Sequence, residues 1–332
     1  MLRFVITYLG DVVPNYVFKN LIRISSTFPK HETILISDNK DALIKAANLG
    51  LDTWDAEESF KRRMKQLGNL KHDMSFRRGF WLNTLARLLV LCDFIIETRS
   101  KMILQVEADV ILLDSFPTLE FERLKTLFAF GIENEDKGIA ALLFLKDDSA
   151  AEFLDQFISA CITKDVNATD MTILGELVRT QSKKVTVLPS MIEPNKDNKQ
   201  SDLLHDVVVA ASPFGGVFDP ITLGQYYFGE DPRNHRGIRI RGRRQHHHLL
   251  NPQNINVEVG EFGEISLKAN SGKNWPLFSI HNHAKDDRLF SKKLDRKYLS
   301  KRFQPLKKPK YDLIALALFE VSLQAIKRRL PI

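Results

Sequence analysis

Two carboxylates one residue apart close an apolar run, Ile103-Leu104-Gln105-Val106-Glu107-Ala108-Asp109-Val110-Ile111-Leu112. Charge is normally excluded from the end of a buried strand unless it is paired or binds metal. Strand carboxyl ends line the ligand crevice of α/β sheets. Hard divalent cations take carboxylate, water and phosphate oxygens. Asp109, with Glu107 as companion, therefore reads as the holder of a metal–diphosphate; the plainer alternative is a strand ending in solvated acids. Residues 214–237 crowd glycine, aromatics, Asp, Arg and Asn without helical or strand period, a composition that suits sugar recognition in a functional loop. Within it Asp219 and Gln225 are candidate sugar contacts, and Arg233 and Arg236 candidate phosphate contacts; the plainer alternative is a structural turn with its arginines in salt bridges. His246-His247-His248 lacks the spacing of a zinc site and reads as exposed loop. Gly-x-Gly-x-x-Gly, Gly-x4-Gly-Lys-Ser/Thr and Gly-x-Ser-x-Gly are all absent, so dinucleotide-binding, P-loop and hydrolase-elbow chemistries lack their signatures.

These side chains need a sheet to carry them. Leu2–Tyr8 and Thr33–Ser37 read as buried strands, with helices over Tyr16–Ser25 and Ala42–Leu49. That order is the signature of a mostly parallel α/β sheet. Residues 57–80 read as charged and irregular. Phe80–Glu97 is an amphipathic helix bearing Arg87, and Met102–Val106 is the strand before the acids. Further strands are expected at Thr126–Ile132, Gly138–Leu145 and Leu277–Ile280, helices at Ala150–Ile162 and Asp170–Leu177, and a hairpin at Asn256–Val259 with Glu264–Lys268. With 332 residues, 44% hydrophobic and 27% charged, the chain is no disordered, collagenous or disulfide-scaffold protein. Cys92 and Cys161 are too few for a disulfide framework and fit a reducing compartment.

The segment around Glu107 and Asp109 resembles the DxD motif of GT-A glycosyltransferases, which hold a nucleotide sugar through Mn²⁺ or Mg²⁺. Leu85-Ala86-Arg87-Leu88 is similar to the Arg-Leu helix of the glycogenin-like galactosyl- and glucosyltransferases. Gly138–Leu145 is similar to their strand beside the active site, and Asn167-Ala168-Thr169-Asp170-Met171 to their later acidic motif. Ser279-Ile280-His281-Asn282-His283-Ala284-Lys285 resembles the His-and-Lys segment that grips metal and diphosphate. The chain departs from the pattern at Glu107, which replaces an Asp, and at Ala140-Ala141, where the family has Asn-Ser-Gly. Of a Lys-Pro-Trp ending only Lys285 remains.

The resemblance implies a GT-A-like single domain over residues 1–290, with the nucleotide sugar on about 1–115 and the acceptor on about 116–290. It implies Asp109 as metal ligand and Glu107 on the ribose or indirectly on the metal. Tyr8 and Asp38, at the ends of the first two strands, either fall where base and ribose lie or are ordinary loop residues. Arg87 either reaches toward the sugar or snorkels from its helix. Asp170 is the base at an acceptor hydroxyl, a positioner of the donor sugar, or merely a first-turn acid favoured by the helix dipole. His281 and His283 alternate along a strand and so point to opposite faces, which leaves one of them for the metal unless the strand breaks there; His281 is the favoured one. Lys285 would neutralise the departing diphosphate. The implied activity is transfer of a sugar from a nucleotide diphosphate sugar to a saccharide or lipid-linked acceptor in surface glycan or polysaccharide synthesis, with retention favoured.

The net charge of +7 is unevenly placed. Residues 281–332 hold 14 Lys/Arg against five Asp/Glu, and the rest of the chain 34 against 36. Basicity therefore belongs to a tail, residues 291–332, in which Tyr311–Ile332 reads as an amphipathic helix. That helix either packs on the domain or docks on an anionic membrane surface. No signal-peptide core or membrane span is legible, so the expected place is the cytoplasm, peripheral on the inner face of a membrane if the tail docks. Two other classes remain: a nucleotidyltransferase of sugar phosphates, which should show a basic Gly-rich loop where this chain has Leu9-Gly10-Asp11, and a nucleic-acid-binding protein using Arg-rich 233–244. No nucleic-acid partner is expected, because a basic tail is not a basic folded face.

Overall fold

A computed structural model describes residues 1–193, 205–243, 245, 248–261, 263–269, 271–304, 306 and 309–313. The first strand, β1 (Arg3–Thr7), alternates its side chains between two cores: Phe4 and Ile6 face one, Val5 the other. The same alternation recurs along β4 (Ile103–Val106), as the period of two demands for a sheet covered on both faces. Helices α1 (Asn15–Thr27) and α2 (Lys40–Asn48) cover the first face. The second is covered by α4 (Phe80–Thr98), α6 (Asp148–Lys164) and α7 (Asp170–Gln181).

The seven-stranded sheet also takes in β2 (Glu32–Ser37), β3 (Asp52–Asp55), β6 (Phe128–Asn134), β7 (Lys137–Leu145) and β8 (Val185–Val187). Its order is β3-β2-β1-β4-β7-β6-β8, and only β7 runs against its neighbours. The mostly parallel α/β architecture expected from the sequence is the architecture of the chain. Parallel β1, β2 and β4 bring their carboxyl ends to one edge. The expected hairpin is present as β10 (Asn256–Val259) and β11 (Ile265–Lys268), extended by β12 (Asn274–Pro276).

Three expectations are corrected. Residues 57–66 are not irregular but form α3 (Glu57–Gln66), which buries only Ser59 and Arg63 and so lacks an apolar stripe. The stretch 212–237 contains a helix, α8 (Thr222–Phe228), buried on almost every side and therefore without amphipathic period. The start of the tail helix is instead β14 (Lys310–Leu313), antiparallel to β9 (Ile238–Arg241). The rest of that helix, and His246 and His247, lie outside the described residues. His248 stands with its ring 3.4 Å from Glu133 rather than on an exposed loop. No helix among the described residues is long and apolar enough to cross a membrane.

Buried charge fastens α3 to the second core. Arg63 donates to Asp93 on α4 at 2.5 and 2.9 Å and to Asp155 on α6 at 2.8 and 2.9 Å, and the Ser59 hydroxyl joins Asp93. Burial works to raise the Asp93 pKa, but Arg63 and Ser59 outweigh it and hold the carboxyl below its ordinary value. Asp93→Asn is expected to cost about 2 kcal/mol, since Asp155 still pairs with Arg63. The depressed pKa fixes the pH window: the contribution is full above about pH 4 and is lost as pH falls through the folded value. Urea midpoints at pH 7 and pH 3 check this; an equal gap between wild type and variant at both pH values would refute it.

Candidate active site

The carboxyl edge of the sheet carries Tyr8 after β1, Asp38 after β2 and Glu107 after β4. After Glu107 the chain turns sharply, with the Val110 amide donating to the Glu107 carbonyl at 2.9 Å. It then runs on as β5 (Val110–Leu112), paired antiparallel with β13 (Ser279–His281), so that His281 sits opposite Val110. From α1, the buried Asn20 amide donates to the carbonyls of Ala108 and Val110 at 3.1 and 2.8 Å. The Asn282 amide donates to the Asp109 carbonyl at 2.7 Å. The turn bearing both acids is thus held from two sides through its carbonyls, by the Asn20 side chain and the Asn282 backbone.

His281 and His283 do not face apart. β13 ends at His281, and the following turn stacks the two rings with centroids 3.7 Å apart. One ligand atom each from Asp109, His281 and His283 can lie within 4.8 Å of the other two. The Nδ1 of His281 donates to the Pro220 carbonyl, which can only accept, and this fixes the ring with Nε2 3.5 Å from Asp109 and 3.3 Å from Glu107. A backbone bond on the far nitrogen is the usual support of a ligating imidazole. His283 Nε2 is buried with no hydrogen-bond partner. Two imidazoles and a carboxylate, one nitrogen orphaned, could hold a divalent ion, and the nitrogen ligands favour a transition ion over Mg²⁺.

Lys285 adopts a left-handed backbone (φ 52°), and its ammonium pairs with Asp109. Burial acts to raise the Asp109 pKa, but Lys285 and His281 hold it well below the usual carboxylate range. Burial likewise opposes ionisation of Glu107, yet Arg87 at 2.5 Å and His281 bring it to about 2. His281 is pulled the other way: burial would lower its pKa, and the two acids raise it to about 10. Desolvation and the neighbouring charge of His281 keep His283 neutral, with its pKa well below the ordinary value.

Arg87 does not snorkel: its guanidinium points to Glu107 and stands 4.0 Å from Asp170. Asp170 is buried at the start of α7 behind the capping hydroxyl of Thr169, and one of its carboxylate oxygens has no partner. Burial raises its pKa, with Arg87 opposing. Asp109, Glu107, Arg87, Asp170, His281, His283 and Lys285 therefore form one connected set. Tyr8 lies beside it, its hydroxyl acting on that of Tyr16, which is within the influence of Asp109. Asp38 accepts from the Gly10 amide at 2.8 Å and so shapes the loop after β1.

Asp219 is placed differently from expectation. It is buried, and its carboxylate accepts from the amides of Leu223, Gly224 and His281 at 2.9, 2.7 and 3.0 Å. Its oxygens are spent on backbone, so it fixes His281 instead of touching a sugar. Gly224 is part of the same clasp: a Cβ there would lie 1.8 Å from the His281 carbonyl oxygen. Gln225 keeps a buried carbonyl oxygen with no partner, and Arg233 is an exposed residue tied to Asp231. Sequence reading missed Asn20, Tyr16, Asp231 and Arg77. Only the packing of distant segments brings these to the site, and no local motif marks them.

No protein-family model matches the chain, and no curated protein does. Among solved structures it is similar to PaToxG Glycosyltransferase, with 11% identity, a TM-score of 0.38, and coverage of 54% of this chain and 69% of that one. It is also similar to the galactosyltransferase LgtC, solved in complex with donor and acceptor sugar analogs, with 14% identity, a TM-score of 0.40, and coverage of 62% of this chain and 82% of that one. Likenesses this distant assign neither substrate nor chemistry, so any function must rest on the residues at the carboxyl edge of the sheet.

Proposed function

We propose that the chain is a metal-dependent glycosyltransferase of GT-A type that moves a sugar from a nucleotide diphosphate sugar to a saccharide or lipid-linked acceptor. The observation that carries this reading is the convergence of Asp109, His281 and His283 with the cation of Lys285 at the carboxyl edge of a parallel sheet. Such a site suits a diphosphate held between metal and ammonium. A bound Mn²⁺ would supply Lewis-acid neutralisation of the diphosphate charge.

The remaining roles belong to the chain. Tyr8 and Asp38 lie where the nucleoside would rest against the ends of β1 and β2. Arg87 orients Glu107 and reaches toward Asp170, and the donor sugar would rest beside this group. As the bond from the anomeric carbon to the phosphate oxygen breaks, its electron pair leaves with the nucleoside diphosphate, and Lys285 meets the growing charge. The acceptor oxygen forms the new bond, and its proton passes to Asp170, whose raised pKa and free oxygen suit that task.

Incubation of the protein with a panel of nucleotide diphosphate sugars, followed by assay of free nucleoside diphosphate, tests the reading. Release from at least one donor with Mn²⁺, suppressed by EDTA, is the expected result. Release no faster than in buffer from every donor would sink it.

A further inference from the structure

Near the candidate metal ligands, within their electrostatic influence, lies a second group of charges that the reaction above does not use. Asp231, buried at the start of a short 3-10 turn (Pro232–His235), accepts from the Arg233 guanidinium at 2.6 and 3.1 Å and pairs with Arg77 at 3.1 Å. Arg77 comes from a remote segment, just before α4, and is also bonded to the Asn234 side chain. Its backbone is left-handed (φ 48°), a conformation that a non-glycine residue holds only when surroundings impose it. The Nε of Arg77 is buried without a partner.

These arginines lie within electrostatic reach of the site. Arg233 acts electrostatically on the hydroxyls of Tyr8 and Tyr16, Lys285 acts on Asp231, and Arg77 lies within the field of Asp109. Three cations, Arg77, Arg233 and Lys285, therefore share two acids, Asp231 and Asp109. A divalent metal beside Asp109 would raise the positive excess further, and a diphosphate is an anion of matching size and charge. Guanidinium forks suit phosphate oxygens geometrically as well as electrically.

We propose that Arg77 and Arg233, aligned by Asp231, form a clamp that binds the diphosphate of the donor beside Asp109, His281 and His283. Asp231 is a positioning residue: it holds both forks in place before the anion arrives. Donor binding then adds a further tie between the segment before α4 and the loop at 231–234, already joined through Asp231 and Asn234. The inference rests on reading the Asp109 pocket as a donor site and adds a set of contacts to it.

Inorganic pyrophosphate is the probe, titrated calorimetrically into the full chain with Mn²⁺ present, while paramagnetic resonance of Mn²⁺ measures metal binding separately. Arg77→Gln and Arg233→Gln are each expected to weaken pyrophosphate binding at least tenfold and to leave Mn²⁺ affinity unchanged. Arg233→Lys should recover part of the loss, and melting temperatures report whether each variant is folded. Arg123→Gln, an exposed charge at the end of α5 (Thr118–Glu122), should have no effect. Pyrophosphate affinity within twofold of wild type in the Arg77→Gln, Arg233→Gln double variant would overturn the clamp. So would an equal loss in Arg123→Gln, which would mark diffuse attraction. Arginine-dependent pyrophosphate binding without any Mn²⁺ binding would uphold the clamp and reject the metal-dependent transferase.

Discussion

Asp109→Ala is expected to lower donor turnover by about 10³-fold and to remove tight Mn²⁺ binding. The size follows from the several kcal/mol of charge stabilisation that a metal contributes to such a departure, roughly 4 kcal/mol or a factor of about 10³. Two effects act in one direction. The ligand set falls from three groups to two imidazoles, and Lys285 loses the carboxylate that aims its ammonium. A partial offset comes from Lys285 itself, which, once unpaired, is free to move onto the diphosphate. That gain is bounded by a single ion pair near a surface, about 1 kcal/mol, so the metal term wins. Asp109→Asn keeps the shape while removing the charge and should be nearly as inactive. Turnover within tenfold of wild type at saturating Mn²⁺ in either variant would reject Asp109 as ligand.

Asp219→Ala should be the most destabilising substitution near the site. It strips the acceptor from three buried amides at once, those of Leu223, Gly224 and His281. Each buried donor left unmade costs about 1–3 kcal/mol, so an upper total of about 3–9 kcal/mol is expected. Asp219 is itself buried, and burial raises its pKa against the pull of those amides; relief of that strain reduces the loss without reversing it. Asp219→Asn keeps one acceptor oxygen and should fall between. The same change frees the backbone of His281, so Mn²⁺ affinity should drop along with stability. Denaturant unfolding and metal titration on the same samples measure both. An unchanged unfolding midpoint would show that the three amides find other partners and would remove Asp219 from the support of the site.

The alternating strands and helices from β1 to α2 were legible because each is apolar with a clear period and ends on Gly10, Asp38 or Gly50. α3 was not, because a helix that buries a serine and an arginine writes charge rather than a stripe into its sequence. α8 was hidden for the opposite reason, being buried nearly all round.

Within the site, the acids at 107 and 109 and the His-and-Lys segment announce themselves, since charge that closes an apolar run must find a counter-charge or a ligand there. The relative facing of His281 and His283 depended on where β13 stops, and a strand end is the least legible feature of a sequence. Asp219 shows a different limit. A carboxylate in a glycine-rich loop looks the same whether it will meet a sugar or three backbone amides. Arg77 and Asp231 could be paired only by the fold that brings them together.

Lys285 and Asp109 are 176 residues apart in sequence and joined by an ion pair. Closing so long a loop is entropically costly and slow compared with local pairing. The four parallel strands that present Glu107 and Asp109 are complete within the first third of the chain, whereas β13 arrives near its end. Until it docks, two acids one residue apart repel each other with neither imidazole nor ammonium beside them. The arrival of β13 relieves that repulsion and completes the ligand set in one event. Metal affinity at Asp109, if the proposed site binds, is therefore expected only once β13 is in place.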